Sequence, residues 1–249
     1  MTARHALVTG GHSGIGRAIA LSLAAEGLAV TICGRREELL KAVAAEAPTI
    51  HAIAADVTDE ASVAALYEQA EAARGPFDIV VANAGIASSA PAWRTSLEEW
   101  NRIISVNLTG AFLTVRPALK GMADRKSGRI VFIASVAGLR GSAYVAPYVA
   151  SKHGVVGLMR ALSAELLMTG VTVNAVCPGY VETEMLEQSI RRVMEKTGRS
   201  EAEARRGFAE INPNHRLIAP EEVAAAVMWL VSETARNVTG QAIAVSGGG

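Results

Sequence analysis

The chain lacks an excess of either charge, a bilayer-length apolar run, a linker and more than two cysteines, and each shortage removes a class of function. Lys plus Arg equals Asp plus Glu at 24 each in 249 residues. A binder of nucleic acid or of acidic membranes carries a basic excess, and no motif interleaving aromatic and basic residues is present, so both partners are excluded. No segment is apolar for the length that crosses a bilayer. Residues 1–4 run directly into the apolar stretch "HALV" with no leader-like core and cleavage site, so a cytoplasmic location is expected. Cys33 and Cys177 each end an apolar run, and their flanks have neither metal-ligand spacing nor CxxC. They read as reduced, buried thiols, and no metal site is expected. With no Pro/Gly/Ser linker or charge block to divide it, the chain reads as one domain over 1–249.

What is present is a strict alternation. Short runs rich in β-branched residues ("HALVT", "LAVTIC", "IHAIA", "DIVVA", "RIVFIA", "VTVNAV", "QAIAVS") are separated by longer amphipathic stretches such as "IGRAIALSLAAEG" and "DEASVAALYEQAEAARG". Continuous apolarity within each run means that both faces of the strand are covered, as in a parallel sheet between two helical layers. The expectation is an α/β, doubly wound parallel sheet with helices on both faces. Gly27 reads as a helix C-terminal cap, "TDEAS" as an N-cap at Thr58 with acids in the first turn, and "GPFD" at 75–78 as a turn. From about 184 to 217 the alternation breaks into a charged helical insert ending in "NPNHR", which reads as a lid or as a solvated hairpin.

The stretch "VTGGHSGIGRAIA" (8–20) follows the first strand and opens the first helix. Gly10, Gly14 and Gly16 permit a tight turn, a close backbone approach to a pyrophosphate and close helix–strand contact, with Ser13 and Ile15 between them at the helix N-terminus. The end of the second strand reads "TICGRREE". An acid there would bind an adenosine ribose hydroxyl, but Gly34 occupies the place and Arg35 and Arg36 follow. Guanidinium binds a 2′-phosphate through parallel charge-assisted bonds, which favours NADP(H) and leaves NAD(H) open. The bland alternative is a pair of solvated arginines balanced by Glu37 and Glu38.

The spacing Thr9-Gly10-xxx-Gly14-x-Gly16, with "NAG" at 83–85, "SVNLTG" at 105–110, Ser135, "YVASK" at 148–152 and "PG" at 178–179, resembles the short-chain dehydrogenase/reductase family. The signatures run in order from residue 5 to the C-terminus. The resemblance implies a seven-stranded Rossmann sheet and a catalytic tetrad of Asn107, Ser135, Tyr148 and Lys152. It also implies cofactor contacts at Asp56 and Val57 (after the third strand), at Asn83 and Gly85, and at Pro178, Gly179, Val181 and Thr183, besides Tyr148 and Lys152. Ala82 departs from the family's frequent second asparagine.

The chemistry of the tetrad follows on its own terms. Reduction of a ketone by hydride leaves charge on oxygen, so the site needs a donor at that oxygen and an acid to protonate it. Ser135, at the carboxyl end of "RIVFIAS", is placed to hold the carbonyl, and Tyr148 is the acid. A phenol titrates near pH ~10, and the Lys152 ammonium one helical turn away is expected to lower that value, while Asn107 is expected to hold a relaying water.

Tyr144 and Met185 are the further substrate candidates, beside Ser135 and Tyr148. "APYVASKHGVVG" and "TGVTVNAVCPGYVET" resemble stretches of 3-oxoacyl and polyketide ketoreductases. The sequence after "NAG" is "IASSA", without the proline-glycine cluster of the polyketide enzymes. A 3-oxoacyl thioester, a secondary alcohol or an apolar ketone all remain open. Met185, Leu186, Ile190 and Trp93 suit an apolar or aromatic substrate, or pack the insert. Arg191, Arg192, Arg199, Arg205 and Arg206 suit a coenzyme A phosphate, or form a solvated face among glutamates. The family resemblance implies a homotetramer joined through helices over 105–123 and 148–168 and the segment 221–246. The rival reading is a non-catalytic dinucleotide-binding subunit, which would be expected to lack the tyrosine, lysine or serine; all are present.

Overall fold

The computed structural model describes residues 4–248. Seven strands, β1 His5–Thr9, β2 Ala29–Gly34, β3 Ile50–Ala54, β4 Ile79–Ala82, β5 Gly128–Ile133, β6 Val171–Pro178 and β7 Ala242–Val245, form one sheet in the order β3-β2-β1-β4-β5-β6-β7. Every pairing is parallel. The order reverses between β1 and β4, and the carboxyl ends of strands at such a reversal open a crevice for ligands.

The helices in chain order are α1 Gly14–Ala25, α2 Glu37–Ala44, α3 Glu60–Arg74, α4 Leu97–Ile104, α5 Gly110–Arg125, α6 Ala146–Glu165, α7 Glu184–Thr197, α8 Glu201–Ala209 and α9 Pro220–Val231. The inner strands β1, β4, β5 and β6 are buried along their whole length because two apolar layers sandwich them, whereas the edge strands β3 and β7 are only partly covered. One layer joins the sheet to α1, α2 and α9 through Ile19, Leu23, Leu40, Val223 and Val227. The other joins it to α3, α5 and α6 through Leu66, Val115, Met122, Val155 and Met159. Cys33 and Cys177 are buried free thiols, and burial pushes them up to about 12 and about 11. Among the described residues no helix is long and apolar enough to cross a membrane.

Gly27 and Gly75 follow α1 and α3 in the left-handed region, at φ 79° each, as caps that glycine alone adopts without strain. The cap of α3 differs from expectation: Asp59, not Thr58, accepts from the backbone N–H of Ala61. Thr58 instead donates its N–H (2.9 Å) and its hydroxyl (2.7 Å) to Asp56 Oδ1. Both residues suit a cap, and a carboxylate at the positive end of the helix dipole is the better acceptor.

Candidate active site

Tyr148 and Lys152 both project from α6, which Pro147 opens in its first turn. One helical turn apart, they stack, with Lys152 Nζ 5.6 Å from the centre of the Tyr148 ring. Lys152 is 4% exposed. Its Nζ donates to the Ile133 carbonyl at 2.8 Å, and this bond ties α6 to the end of β5. An ammonium has further N–H groups, and a Cβ placed on Gly85 would stand 3.6 Å from this nitrogen, so the lysine faces the backbone of the "NAG" turn. Burial lowers Lys152 to about 8. Tyr148 is moved up by burial, against which the Ser135 hydroxyl pulls it down. The expected depression of the phenol by Lys152 does not appear: only the Ser135 hydroxyl opposes burial, and Tyr148 is held protonated at neutral pH.

Ser135 follows β5. Its Oγ accepts from Ala137 N–H (3.1 Å) and points to the Pro178 carbonyl at 3.4 Å, which sets the hydroxyl on the same sheet edge as the phenol. Asn107 lies in a π-helical stretch, Ser105–Thr109, between α4 and α5; such widened turns recur at functional sites. Its Oδ1 accepts from Ile86 N–H (2.8 Å), and its Nδ2 donates to the Ile86 carbonyl (2.9 Å) and to Ser151 Oγ (3.0 Å). Ser151 Oγ in turn donates to the Tyr148 carbonyl at 2.7 Å. The side chain of Asn107 thus braces the loop after β4 against α6.

The glycine turn is as close as the pattern requires. A Cβ on Gly16 would stand 2.3 Å from the Gly10 carbonyl oxygen, and Gly10 has φ 66°. Asn83 locks it: Nδ2 donates to the Thr9 carbonyl at 2.8 Å, while Thr9 Oγ1 accepts from Asn83 and Ala84 N–H at 3.0 Å each. Ser13 precedes α1 with its hydroxyl unused as a cap, and Ile15 is half-buried beside it. These features fit a dinucleotide: backbone too close for side chains, a free hydroxyl at a helix N-terminus, and a buried lysine with donors to give. Asp56, lowered chiefly by the Thr58 N–H, and Val57, packed on Gly110, sit beyond β3. Arg35 and Arg36 are exposed at the end of β2.

The model of the short chain dehydrogenase family matches residues 4–193. The chain belongs to that family. Relatives include a putative ketoacyl reductase of the granaticin polyketide synthase of Streptomyces violaceoruber, 43% identical over 98% of this chain and 92% of that protein. The 3-oxoacyl-[acyl-carrier-protein] reductase MabA of Mycobacterium tuberculosis is 37% identical over 98% and 92%. Among solved structures, a single-residue variant of an actinorhodin polyketide ketoreductase, with NADPH, superposes at TM-score 0.96, with 40% identity over 100% of this chain and 98% of that one. Membership of the short-chain dehydrogenases makes the protein an oxidoreductase acting on CH–OH and keto groups.

In this member the end of β6 leads through Pro178, Gly179 and the buried Val181 to Thr183, which caps α7 by accepting from Leu186 N–H at 3.3 Å. Thr183 also lies against Gly14, whose added Cβ would be 3.0 Å from Thr183 Cγ2. The base of the insert is pinned: Ile218 exchanges backbone bonds with Tyr180 and Glu182 (3.0 and 2.9 Å), and the buried Asn212 bonds Tyr180 N–H and C=O at 2.9 and 3.0 Å. Leu186 and Ile190 are buried with Ala204, Tyr180 and Phe208, so they hold the insert together. Met185 stays exposed, as do Trp93 and Tyr144. Tyr144 has φ 65°, a strained conformation for a non-glycine residue. Its carbonyl accepts from Ala90 N–H at 2.8 Å, tying together two loops beside the tetrad. A cleft of about 430 Å³ runs between α1 and α7, lined by Gly14, Arg17, Thr183 and Glu187 among others. No tetrad residue lines it.

Several residues that hold the site together carry no motif signal of their own: Ser151, Tyr180 and the Ile133 carbonyl. Ser151 lies inside "YVASK" and its spacing from Tyr148 was readable. The others act through atoms whose neighbours come from distant strands.

Proposed function

We propose that the protein is an NADP(H)-dependent ketoreductase that reduces a 3-oxoacyl thioester, carried on coenzyme A or a carrier protein, or a related apolar ketone. The observation that carries the reading is the convergence of a protonated, half-buried Tyr148, the Ser135 hydroxyl and the buried Lys152 at the sheet edge beside the glycine turn. The names of the granaticin and mycobacterial relatives support the substrate class, and the NADPH of the actinorhodin structure supports the cofactor.

The nicotinamide, when bound, supplies the hydride. Ser135 holds the carbonyl oxygen by a hydrogen bond that strengthens as charge develops there. Tyr148, above its ordinary value through burial, delivers its proton to that oxygen. Lys152 keeps positive charge behind the phenol, stabilising the phenolate left by that step, and has N–H donors for the cofactor ribose. Asn107 keeps this geometry by holding Ile86 and Ser151, and a water relay would run past its backbone and not its amide. Gly10, Gly14 and Gly16 take the pyrophosphate, Asp56 and Val57 the adenine, Gly85 with Asn83 behind it the central ribose, Pro178, Gly179, Val181 and Thr183 the nicotinamide side, and Arg35 and Arg36 a 2′-phosphate. Tyr144 and Met185 form the rim over which the acyl chain enters, and α7 with α8 closes above it.

A cytoplasmic homotetramer belongs to the same reading. Phe112 on α5 and Trp229 on α9 are exposed, at 36% and 44%, on the elements the family resemblance assigns to subunit contacts. Light scattering tests it. A second reading, NAD-dependent oxidation of a 3-hydroxyacyl compound, has support in a 38% identical D-beta-hydroxybutyrate dehydrogenase of Cupriavidus necator.

The deciding experiment follows NADPH absorbance over 3-oxoacyl-CoA, 3-oxoacyl-pantetheine, aryl ketones and simple ketones, and repeats the series with NADH. Turnover of the 3-oxoacyl thioesters, faster with NADPH, is expected. Faster 3-hydroxybutyrate oxidation with NAD would select the second reading, and no turnover in either direction would return the chain to a binding role.

A further inference from the structure

The end of β2 holds an arrangement that the catalytic reading does not use. A Cβ on Gly34 would stand 3.1 Å from His12 Nδ1, so the imidazole of the glycine turn fills the space an acidic side chain at that place would claim. Its Nε2 meets Nε and Nη2 of Arg36 at 3.2 and 2.5 Å. A guanidinium only donates, so Nε2 is the acceptor and the ring proton sits on Nδ1. That nitrogen is buried and has no partner among the described residues. Burial, then the charge of Arg36, keep the ring below its ordinary value against the opposing pull of Glu184, in keeping with a neutral ring. The same guanidinium grips Glu184 with two prongs, Nη1 to Oε1 at 3.2 Å and Nη2 to Oε2 at 2.9 Å. Glu184 is the first residue of α7. The cation assigned to a cofactor phosphate is thus already committed to an anion of the insert.

We propose that Glu184 is a built-in competitor for the adenosine 2′-phosphate, occupying the fork of Arg36 while His12 backs the same cation, so that NADPH binds only by displacing this carboxylate. The proposal rests on the NADP(H) reading above. A guanidinium edge presents its parallel N–H pair to one oxyanion at a time. A phosphate monoester, close to doubly charged at neutral pH, also repels a carboxylate left beside it. The unphosphorylated ribose of NADH makes no claim on that edge. Glu184 therefore lowers the preference for NADPH that Arg36 creates. Arg35, which makes no ion pair among the described residues, and Arg191, whose charge reaches Glu184, leave enough positive charge for the exchange to proceed.

Fluorescence titration with NADPH and with NADH tests this on the wild type, Glu184→Gln, Arg36→Ala and the double variant, with thermal unfolding as the check on folding. The exposed Arg36–Glu184 pair, at 48% and 44%, belongs to a class worth up to about 1 kcal/mol, or about fivefold in an equilibrium constant. Glu184→Gln is expected to tighten NADPH by about two- to fivefold, to leave NADH unchanged, and to have no effect once Arg36 is alanine. Glu184→Ala should repeat the pattern if Gln perturbs α7. Equal shifts for both cofactors, or unchanged or weaker NADPH binding while Arg36→Ala still weakens NADPH alone, would overturn the competitor and leave the cofactor reading intact. An Arg36→Ala variant that binds NADPH as well as the wild type does would remove both.

Discussion

The two ends of the cofactor crevice are built on opposite principles. At the catalytic end, Lys152, Asn107, Ser151 and Ser135 are buried and each polar group has a named partner, so the geometry is held by bonds that water cannot compete for. At the adenosine end, Arg36, Glu184 and Arg35 are exposed, and their pairing is an exchangeable surface contact. In the proposed reading, chemistry is placed where buried bonds fix the geometry, whereas cofactor choice is placed where charges can re-pair at little cost.

The comparison breaks first, if at all, at Tyr148. Tyr148→Phe removes the proton donor and should lower kcat by about 10²–10⁴-fold while NADPH binding stays within about twofold; stopped-flow turnover beside cofactor titration measures both. Retention of most of kcat would mean that the buried end is only scaffolding.

Asn107→Ala should cost roughly 2–4 kcal/mol of folding stability, because the Ile86 N–H and C=O and the Ser151 hydroxyl lose their partner inside the protein. Denaturant unfolding reads this. A loss below about 1 kcal/mol would show that the brace is not what holds the loop.

Lys152 sharpens the contrast through pH. Burial lowers it from 10.5 to about 8, so between these values the unfolded chain binds more protons and stability rises with pH; the contribution is lost as pH falls through about 8. Reductase activity should move the other way, falling as pH rises through about 8 and the ammonium behind Tyr148 discharges. Lys152→Met should then abolish turnover yet leave the fold at neutral pH about as stable as the wild type. A large loss of stability in that variant would contradict the burial penalty.

The smallest effect is expected on the insert. Arg205 is already paired with Glu187 (2.6 Å) and Glu201 (3.4 Å) on exposed surface. Arg205→Ala should change kcat/KM for an acyl-CoA relative to its pantetheine analogue by less than about twofold. A larger, salt-sensitive loss would show that the insert binds phosphate.

The positions of the strands and long helices, the tight glycine turn and the pairing of Tyr148 with Lys152 were determined by the sequence itself. Periodicity, β-branching and spacing are local properties, and a four-residue offset on a helix fixes adjacency whatever surrounds it. Only the tertiary structure decided which way the polar groups turn. The Asn107 amide toward Ile86, the Asn83 amide toward Thr9, Leu186 and Ile190 inward, and Arg36 between His12 and Glu184 all depend on partners up to 148 residues away in the chain. Direction of a hydrogen bond and depth of burial are set by whatever packs opposite, and that neighbour is supplied by the closed sheet and its helices, not by the adjacent residues.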